Sequence, residues 1–383
     1  MIPPGATIGI LGGGQLGRMT GIAARQLGYG VAVLDPSPGC PAAAIADLEV
    51  NTAYDDRDGL DRLIARSDVI TYEFENVPVA AAEHAASQRP THPAPRVLHI
   101  CQNRAREKQF LRDAGFPCAP FAIVSSADEL AHAAARIGLP AVLKTADFGY
   151  DGKGQRKLLA GAREWQKIWD DFDAPRAMLE GFIDFEVELS VIIAANGRGD
   201  FAVYPVAENI HTNHILDFSI VPARVLPVVA REASDLACAI AESLGVVGLL
   251  AVEMFVTRDG RVLVNELAPR PHNSGHWSID GAITSQFEQH VRAVCGLPLG
   301  DTRAHQPSVM VNLLGDLWTG GTPDWARLLK DPGAKLHLYG KPHARPGRKM
   351  GHATIVADEI ESALQRARAL KAALVVERVK SEE

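Results

Sequence analysis

Two glutamates, Glu253 and Glu266, sit inside apolar runs on either side of Arg258-Asp259-Gly260-Arg261. Asp-Gly is a favoured two-residue hairpin turn, so Arg258 is expected to pair with Arg261. Counting back along both strands then places Glu253 directly opposite Glu266, with Cβ atoms ~5 Å apart on one face. Two partly desolvated carboxylates that close repel strongly, even at an effective dielectric of about 20. One acid can protonate, a basic side chain can intervene, or a divalent cation can bind. Mg²⁺ suits the last outcome, because it takes carboxylate oxygens and keeps positions for water and nucleotide phosphates.

Upstream lie residues suited to phosphate. Lys144 ends the apolar strand expected over 141–145, and Gly149-Tyr150-Asp151-Gly152-Lys153-Gly154-Gln155 follows. Three glycines let backbone N–H groups fold over an anion, and Lys153 adds charge. The pattern is not G-x-x-x-x-G-K-[ST], and a surface hairpin would also contain glycines. Next comes Met178-Leu179-Glu180-Gly181-Phe182-Ile183, with Glu188 downstream. A strand that exits into a connector can read an adenine edge through its backbone, and a carboxylate can accept ribose hydroxyls.

A second glycine motif opens the chain. Gly12-Gly13-Gly14-Gln15-Leu16-Gly17 satisfies G-x-G-x-x-G after a strand, and Asp35 ends the following strand. Such a turn suits a dinucleotide, its phosphates drawn to the helix N-terminus. Any strand-to-helix turn in an open α/β sheet also calls for glycines, so the motif alone leaves both readings open.

The elements that must position these groups follow from periodicity. Strands over 7–11, 31–35 and 69–72 alternate with a helix over 15–27, implying βαβ units and a parallel sheet. After the Pro-rich stretch 90–95 comes a basic helix over 103–114. Strands are then expected over 177–180, 185–194, 204–207 and 215–221, followed by a helix over 228–244 and the hairpin. Beyond Pro298 strands are expected near Val309 and Lys335, with a helix over 358–372. With ~150 residues per domain, 383 residues suggest two or three domains. We place them at 1–95, 96–298 (central subdomain about 119–183) and 299–383. The fold class is α/β and α+β.

The chain is 47% apolar and 22% charged, enough for a core and unlike a disordered segment. A net charge of −7 without a basic tail points away from nucleic acid. Five scattered cysteines, none in a Cys-x-x-Cys pair, point to reduced thiols rather than disulfides or zinc. The most apolar stretch, 237–256, is broken by Glu242, Gly245, Gly248 and Glu253, so no membrane partner is expected. A cytoplasmic protein fits these features.

Taken in order, the strand lysine, glycine loop, acidic connector and facing glutamates resemble the ATP-grasp enzymes, which clamp ATP between two antiparallel sheets. Within that superfamily the chain is similar to the N5-carboxyaminoimidazole ribonucleotide synthase family of purine biosynthesis. The likeness runs from Ile8 to about Ile355. It rests on 12–18, on Tyr72-Glu73-Phe74-Glu75-Asn76-Val77, on 149–155, on Asn265 to Trp277 and on Arg345-Pro346-Gly347-Arg348-Lys349-Met350-Gly351-His352.

The resemblance implies an ATP-grasp fold with an N-terminal Rossmann-like, biotin-carboxylase-like domain and a small C-terminal domain. It implies that Arg104, Lys144 and Lys153 meet ATP phosphates under a lid of residues 149–155. Glu180, Gly181, Phe182 and Ile183 would bind adenine, Glu188 the ribose, and His211 the nucleotide side of the site. Glu253 and Glu266 match metal ligands for Mg²⁺, with Mn²⁺ as an alternative, and Asn265 supports them. Ala268 stands where many ATP-grasp enzymes carry Asn, which leaves the ligands of a second Mg²⁺ open. Gln15, Leu16, Glu73, Asn273 and Ser274 would face 5-aminoimidazole ribonucleotide. Lys341, Arg348 and Lys349 would take its 5′-phosphate. Arg270, His272, Asp151 and Lys349 would act on bicarbonate and carboxyphosphate, with Tyr150 completing the closed site. A homodimer that hands its product to the next mutase is also implied. The rival readings are a formate-using glycinamide ribonucleotide ligase of the same superfamily, an NAD(P)-dependent oxidoreductase and an inactive ATP-binding regulatory protein.

Overall fold

The computed structural model describes residues 1–146 and 154–374. Strands β1 (Thr7–Leu11), β2 (Gly30–Leu34), β3 (Leu48–Val50) and β4 (Val69–Tyr72) form a parallel sheet in the order β3-β2-β1-β4. Strand β1 is central, with Ile8 beside Val31 on one side and Val69 on the other. Helices cover both faces, which is why these strands read as unbroken apolar runs. Leu16, Met19 and Ala23 of helix Gln15–Gln26 pack on Ile8, Ile10, Val31 and Val33. Gly12, at φ +105°, turns the chain from β1 toward that helix in a conformation other residues rarely adopt.

Strands β5 (Phe121–Val124), β6 (Ala141–Thr145), β7 (Gln155–Leu158) and β8 (Ala177–Gly181) form a small antiparallel sheet in the order β5-β8-β6-β7. Val142 opposes Glu180 and Lys144 opposes Met178, so Lys144 and Glu180 lie diagonally on one face. Helix Ala127–Ile137 covers the other face with Leu130, Ala133 and Ala134.

The third sheet takes β9 (Phe185–Asn196), β10 (Phe201–Val203), β11 (Ala207–Thr212), β12 (Ile215–Val221), β13 (Val247–Thr257), β14 (Val262–Ala268), β15 (Ser308–Leu314), β16 (Ala334–Leu338) and β17 (Lys349–Val356). Its order is β14-β13-β9-β11-β12-β15-β17-β16, with β10 on β9. Helix Pro227–Leu244 seals one face through Ala233, Ala237, Ile240 and Leu244.

Two expectations need correcting. No strand spans 204–207; β10 ends at Val203 and β11 starts at Ala207, because Pro205 has no N–H for a ladder. The stretch around Lys349, expected as a basic cluster with no strand assigned to it, is largely strand β17, whose residues Met350 to Ile355 are buried. The C-terminal strands therefore extend the sheet that carries the hairpin. All five cysteines are unpaired. No helix among the described residues is long and apolar enough to cross a membrane.

Candidate functional site

Glu253 and Glu266 are paired across β13 and β14, but not through the expected turn. The loop has three residues, 258–260. Gly260 adopts φ +82° and donates its N–H to the Thr257 carbonyl at 2.8 Å, while Thr257 donates to Arg261 at 3.0 Å. This shifts the register by one, so that Val256 opposes Val262 and Met254 opposes Val264. A bulge with Asn265 as the extra residue then shifts it back, leaving Glu253 opposite Glu266. The two irregularities cancel.

Burial first, and then the charges of Glu266 and Glu188, push the Glu253 carboxyl well above its usual range. That is the signature of an acid pair awaiting positive charge. Among the described residues no group of three or more His, Cys, Asp or Glu side chains forms a ready-made metal cage. Two carboxylates without a cage fit Mg²⁺ held by protein on one side and by substrate phosphates and water on the other.

Cations stand around the pair. Arg270 grips Glu75 with two nitrogens, Nη2 to Oε1 at 2.9 Å and Nε to Oε2. Burial alone would raise Glu75, yet the guanidinium holds its carboxyl below the usual range. Lys349, at the start of β17, lines the same cleft and pulls on both Glu75 and Glu253. The Nε2 of His272 lies 3.3 Å from Glu253 Oε1, and its Nδ1 lies 2.8 Å from Ser274 Oγ. Burial and then Arg270 and Lys349 depress His272 well below its usual pKa.

On the small sheet, Glu180 is clamped between Lys108 Nζ at 2.7 Å and Lys144. Burial works against its charge, but the two ammonium groups hold it down at about 2. The Glu180 side chain is thus occupied, and Gly181, Phe182 and Ile183 of the connector line the cleft beside it. Lys157 Nζ lies 3.6 Å from the centre of the Phe182 ring. Glu188 and His211 pair with each other across β9 and β11. Arg104 reaches Thr145 O at 3.4 Å, beside Lys144.

The N-terminal glycine turn is filled by the chain's own acids. Glu73 accepts the N–H of Gly14 at 2.6 Å and of Gly17 at 2.8 Å, and Asp35 accepts that of Gly13 at 2.8 Å. The amides and helix N-terminus that would bind a dinucleotide pyrophosphate already hold carboxylates, which removes the basis of the oxidoreductase alternative. A Cβ on Gly14 would lie 2.4 Å from Glu73 Oε1, so the glycine makes room for this internal cap.

A cleft of about 1280 Å³ unites these parts. Gln15, Leu16, Glu73, Arg104, Lys144, Gln155, Glu188, His211, Asn265, Arg270, His272, Asn273 and Lys349 line it with the acid pair and the connector. Both polar atoms of the Asn273 side chain are buried without a hydrogen-bond partner. Ser274 is fully buried behind the wall, its Oγ bonded to Ser190 Oγ at 2.8 Å. Lys341 and Arg348 do not line the cleft. Lys341 Nζ donates to Lys349 O at 2.7 Å and Arg348 Nη1 to His343 O at 2.6 Å. Lys341 is pushed down to about 8 by burial and then by Arg348. Gly154 adopts φ +65° at the start of β7. Gly149, Tyr150, Asp151, Gly152 and Lys153 lie outside the described residues.

Sequence reasoning gave no role to Glu75, Glu107 or Lys108. Glu107 is buried, accepts the Leu267 N–H at 3.0 Å and is pushed up to about 8, chiefly by burial. Adjacent charges inside a basic helix read as a solvated face. Glu75 was at least visible within the 72–77 motif.

Two antiparallel sheets enclosing a cleft with a facing acid pair, preceded by a parallel βαβ sheet, define the ATP-grasp class. An ATP-grasp domain model matches residues 109–287, and a ribonucleotide synthetase preATP-grasp domain matches 5–102. A phosphoribosylaminoimidazole carboxylase C-terminal domain matches 308–366. The N5-carboxyaminoimidazole ribonucleotide synthase of Bacillus subtilis is 48% identical over 93% of this chain and 93% of its own. That of Brucella melitensis is 47% identical over 92% and 97%. A crystal structure of an N5-carboxyaminoimidazole ribonucleotide synthetase with ADP superposes at TM-score 0.92, with 45% identity over 97% of each chain. The Aspergillus clavatus synthase with ADP and 5-aminoimidazole ribonucleotide gives 0.87, with 32% identity over 96% and 98%. This chain belongs to the N5-carboxyaminoimidazole ribonucleotide synthase family.

Proposed function

We propose that this chain carboxylates 5-aminoimidazole ribonucleotide on its exocyclic amine, using ATP and bicarbonate and releasing ADP and phosphate. The observation that carries the reading is a single cleft lined both by the Glu253–Glu266 pair and, from the N-terminal turn region, by Gln15, Leu16 and Glu73. A nucleotide and a second ribonucleotide can therefore meet over one set of cations.

A bicarbonate oxygen attacks the γ-phosphorus, ADP leaves, and carboxyphosphate results. The amine nitrogen then attacks the carboxyl carbon and phosphate departs. Glu253 and Glu266 would hold Mg²⁺, with Mn²⁺ as an alternative; bound there, the ion would supply positive charge to the phosphate oxygens. Arg104, Lys144 and Lys153 meet the phosphates, and Glu180 holds Lys144 in place. The 180–183 connector reads adenine, and Glu188 with His211 frames the ribose. Arg270, its plane held by Glu75, faces the carboxyphosphate anion. His272 and Lys349 stand beside it, with Asn265 supporting the acid pair. Gln15, Leu16, Glu73 and Asn273 take the ribonucleotide; Lys341 and Arg348, which do not line the cleft, are offered to its phosphate from outside that lining. The resemblance gives residues 149–155, including Asp151 and Tyr150, the part of shielding carboxyphosphate from water; 149–153 lie outside the described residues.

We carry the division 1–95, 96–298 and 299–383 into this reading, together with a cytoplasmic homodimer that passes its unstable carbamate to the next mutase. Supporting it are the family membership and the match of all three family models in that order. The test is phosphate release with each substrate omitted in turn. Release should require ATP, bicarbonate and 5-aminoimidazole ribonucleotide together; indifference to bicarbonate would overturn the assignment.

A further inference from the structure

His272 is held more tightly than a side chain that merely lines a wall. The carboxamide of Gln286, fully buried, brackets its backbone: Oε1 accepts the His272 N–H at 2.9 Å and Nε2 donates to the His272 carbonyl at 2.7 Å. A Cβ on Gly275 would sit 2.6 Å from that Oε1, so the glycine admits the clasp. With the backbone bracketed, the state of the ring is set by its two nitrogens.

On the Nδ1 side stand two donors. The Ser274 backbone N–H points at Nδ1 from 3.4 Å, and a backbone N–H can only donate. The Ser274 hydroxyl lies 2.8 Å from the same nitrogen and accepts from Ser190 Oγ at 2.8 Å, which leaves its own proton for Nδ1. Ser190 is set for this by register, since it opposes Glu253 across β9 and β13. Both serines are buried. On the other side Nε2 faces Glu253 Oε1 at 3.3 Å.

We infer that Ser190 and Ser274 are positioning residues for His272. They hold its ring in the tautomer protonated on Nε2, so that it presents an N–H to the Glu253 edge of the cleft. Nothing in this arrangement leaves Nδ1 free as a base toward substrate. Ser274 thus moves from a substrate contact to a support standing behind the wall. The consequence for turnover rests on the function proposed above; the tautomer does not.

The test separates the two. In protein labelled with ¹⁵N-histidine, two-bond ¹H–¹⁵N correlation spectra report which ring nitrogen carries the proton, and His272→Asn identifies the His272 signals. The wild type should show a protonated Nε2 and a bare Nδ1, whether or not it carboxylates anything. Ser274→Ala should mix the tautomers, Ser274→Thr should restore the wild-type pattern, and Ser190→Ala should shift it in the alanine direction. In the phosphate-release assay Ser274→Ala should lower kcat about 10–100-fold with the KM for ATP unchanged, as loss of an orienting partner does. A wild-type ring protonated on Nδ1, or a tautomer indifferent to Ser274→Ala, overturns the inference. The wild-type spectrum decides even if a variant fails to fold.

Discussion

Arg270 and Glu75 lie 195 positions apart, yet form a two-pronged ion pair on the wall of the cleft. The pair ties the segment after β4 to the segment after β14, joining the parallel sheet to the sheet that carries the acid pair. Both side chains are mostly shielded, with 16% of Arg270 and 26% of Glu75 exposed. Arg270→Ala should therefore cost about 2–3 kcal/mol, since it strands a shielded carboxylate. Glu75→Gln in the same chain should recover part of that loss. Denaturant unfolding of the two single variants and the double variant measures the coupling, and strict additivity would mean that the contact contributes nothing.

The acid pair should be a functional rather than a structural feature. Glu266→Gln should lower phosphate release by about 10³-fold or more. Thermal unfolding without metal should be unchanged or slightly higher, because one of two repelling carboxylates is gone. A large drop in melting temperature would instead mark Glu266 as part of the scaffold.

The glycine turn should refuse dinucleotides. Titration with NADH or NADPH should leave nicotinamide fluorescence unchanged, since Glu73 and Asp35 occupy the amides. Gly17→Ala should destabilise the protein by about 1–3 kcal/mol, because its Cβ would lie 2.5 Å from the Gly12 carbonyl oxygen. A saturable fluorescence change would reverse this view of the turn.

Acid stability should report on His290. This residue is fully buried, donates or accepts at Thr71 Oγ1 over 2.8 Å, and is pushed down to about 3 by burial and then by His92. The unfolded chain takes up a proton near the ordinary value of 6.5 while the folded chain does not. Stability is therefore complete above that pH and declines as pH falls toward 3, by ~1.4 kcal/mol per unit for this one group. His290→Gln, which cannot charge, should flatten the slope between pH 6 and 4 by about that amount. An unchanged slope would assign the acid sensitivity elsewhere.

Much of the site was legible before any coordinates. Lys144, the 180–183 connector and Glu266 stand near the ends of strands whose periodicity is plain, Glu253 lies within one, and Arg270 and His272 follow the last. The facing of Glu253 and Glu266 was read correctly from a turn that does not exist. Asp259-Gly260 has two-residue hairpin chemistry, but Gly260 closes a three-residue loop, and only the bulge at Asn265 restores the pairing. Local propensity describes a turn; it does not report a compensating bulge several residues away.

Order and kind of elements, the acid pair and the lysine-bearing strand belong to the linear chain, because periodicity and residue type are local properties. Which charges neutralise which belongs to packing. Lys108 reaching Glu180, Glu73 plugging the glycine turn, Arg270 gripping Glu75 and Ser274 turning inward to Ser190 all join residues far apart in sequence. Such partners are chosen by what the folded interior leaves within reach, and no spacing rule along the chain encodes that distance.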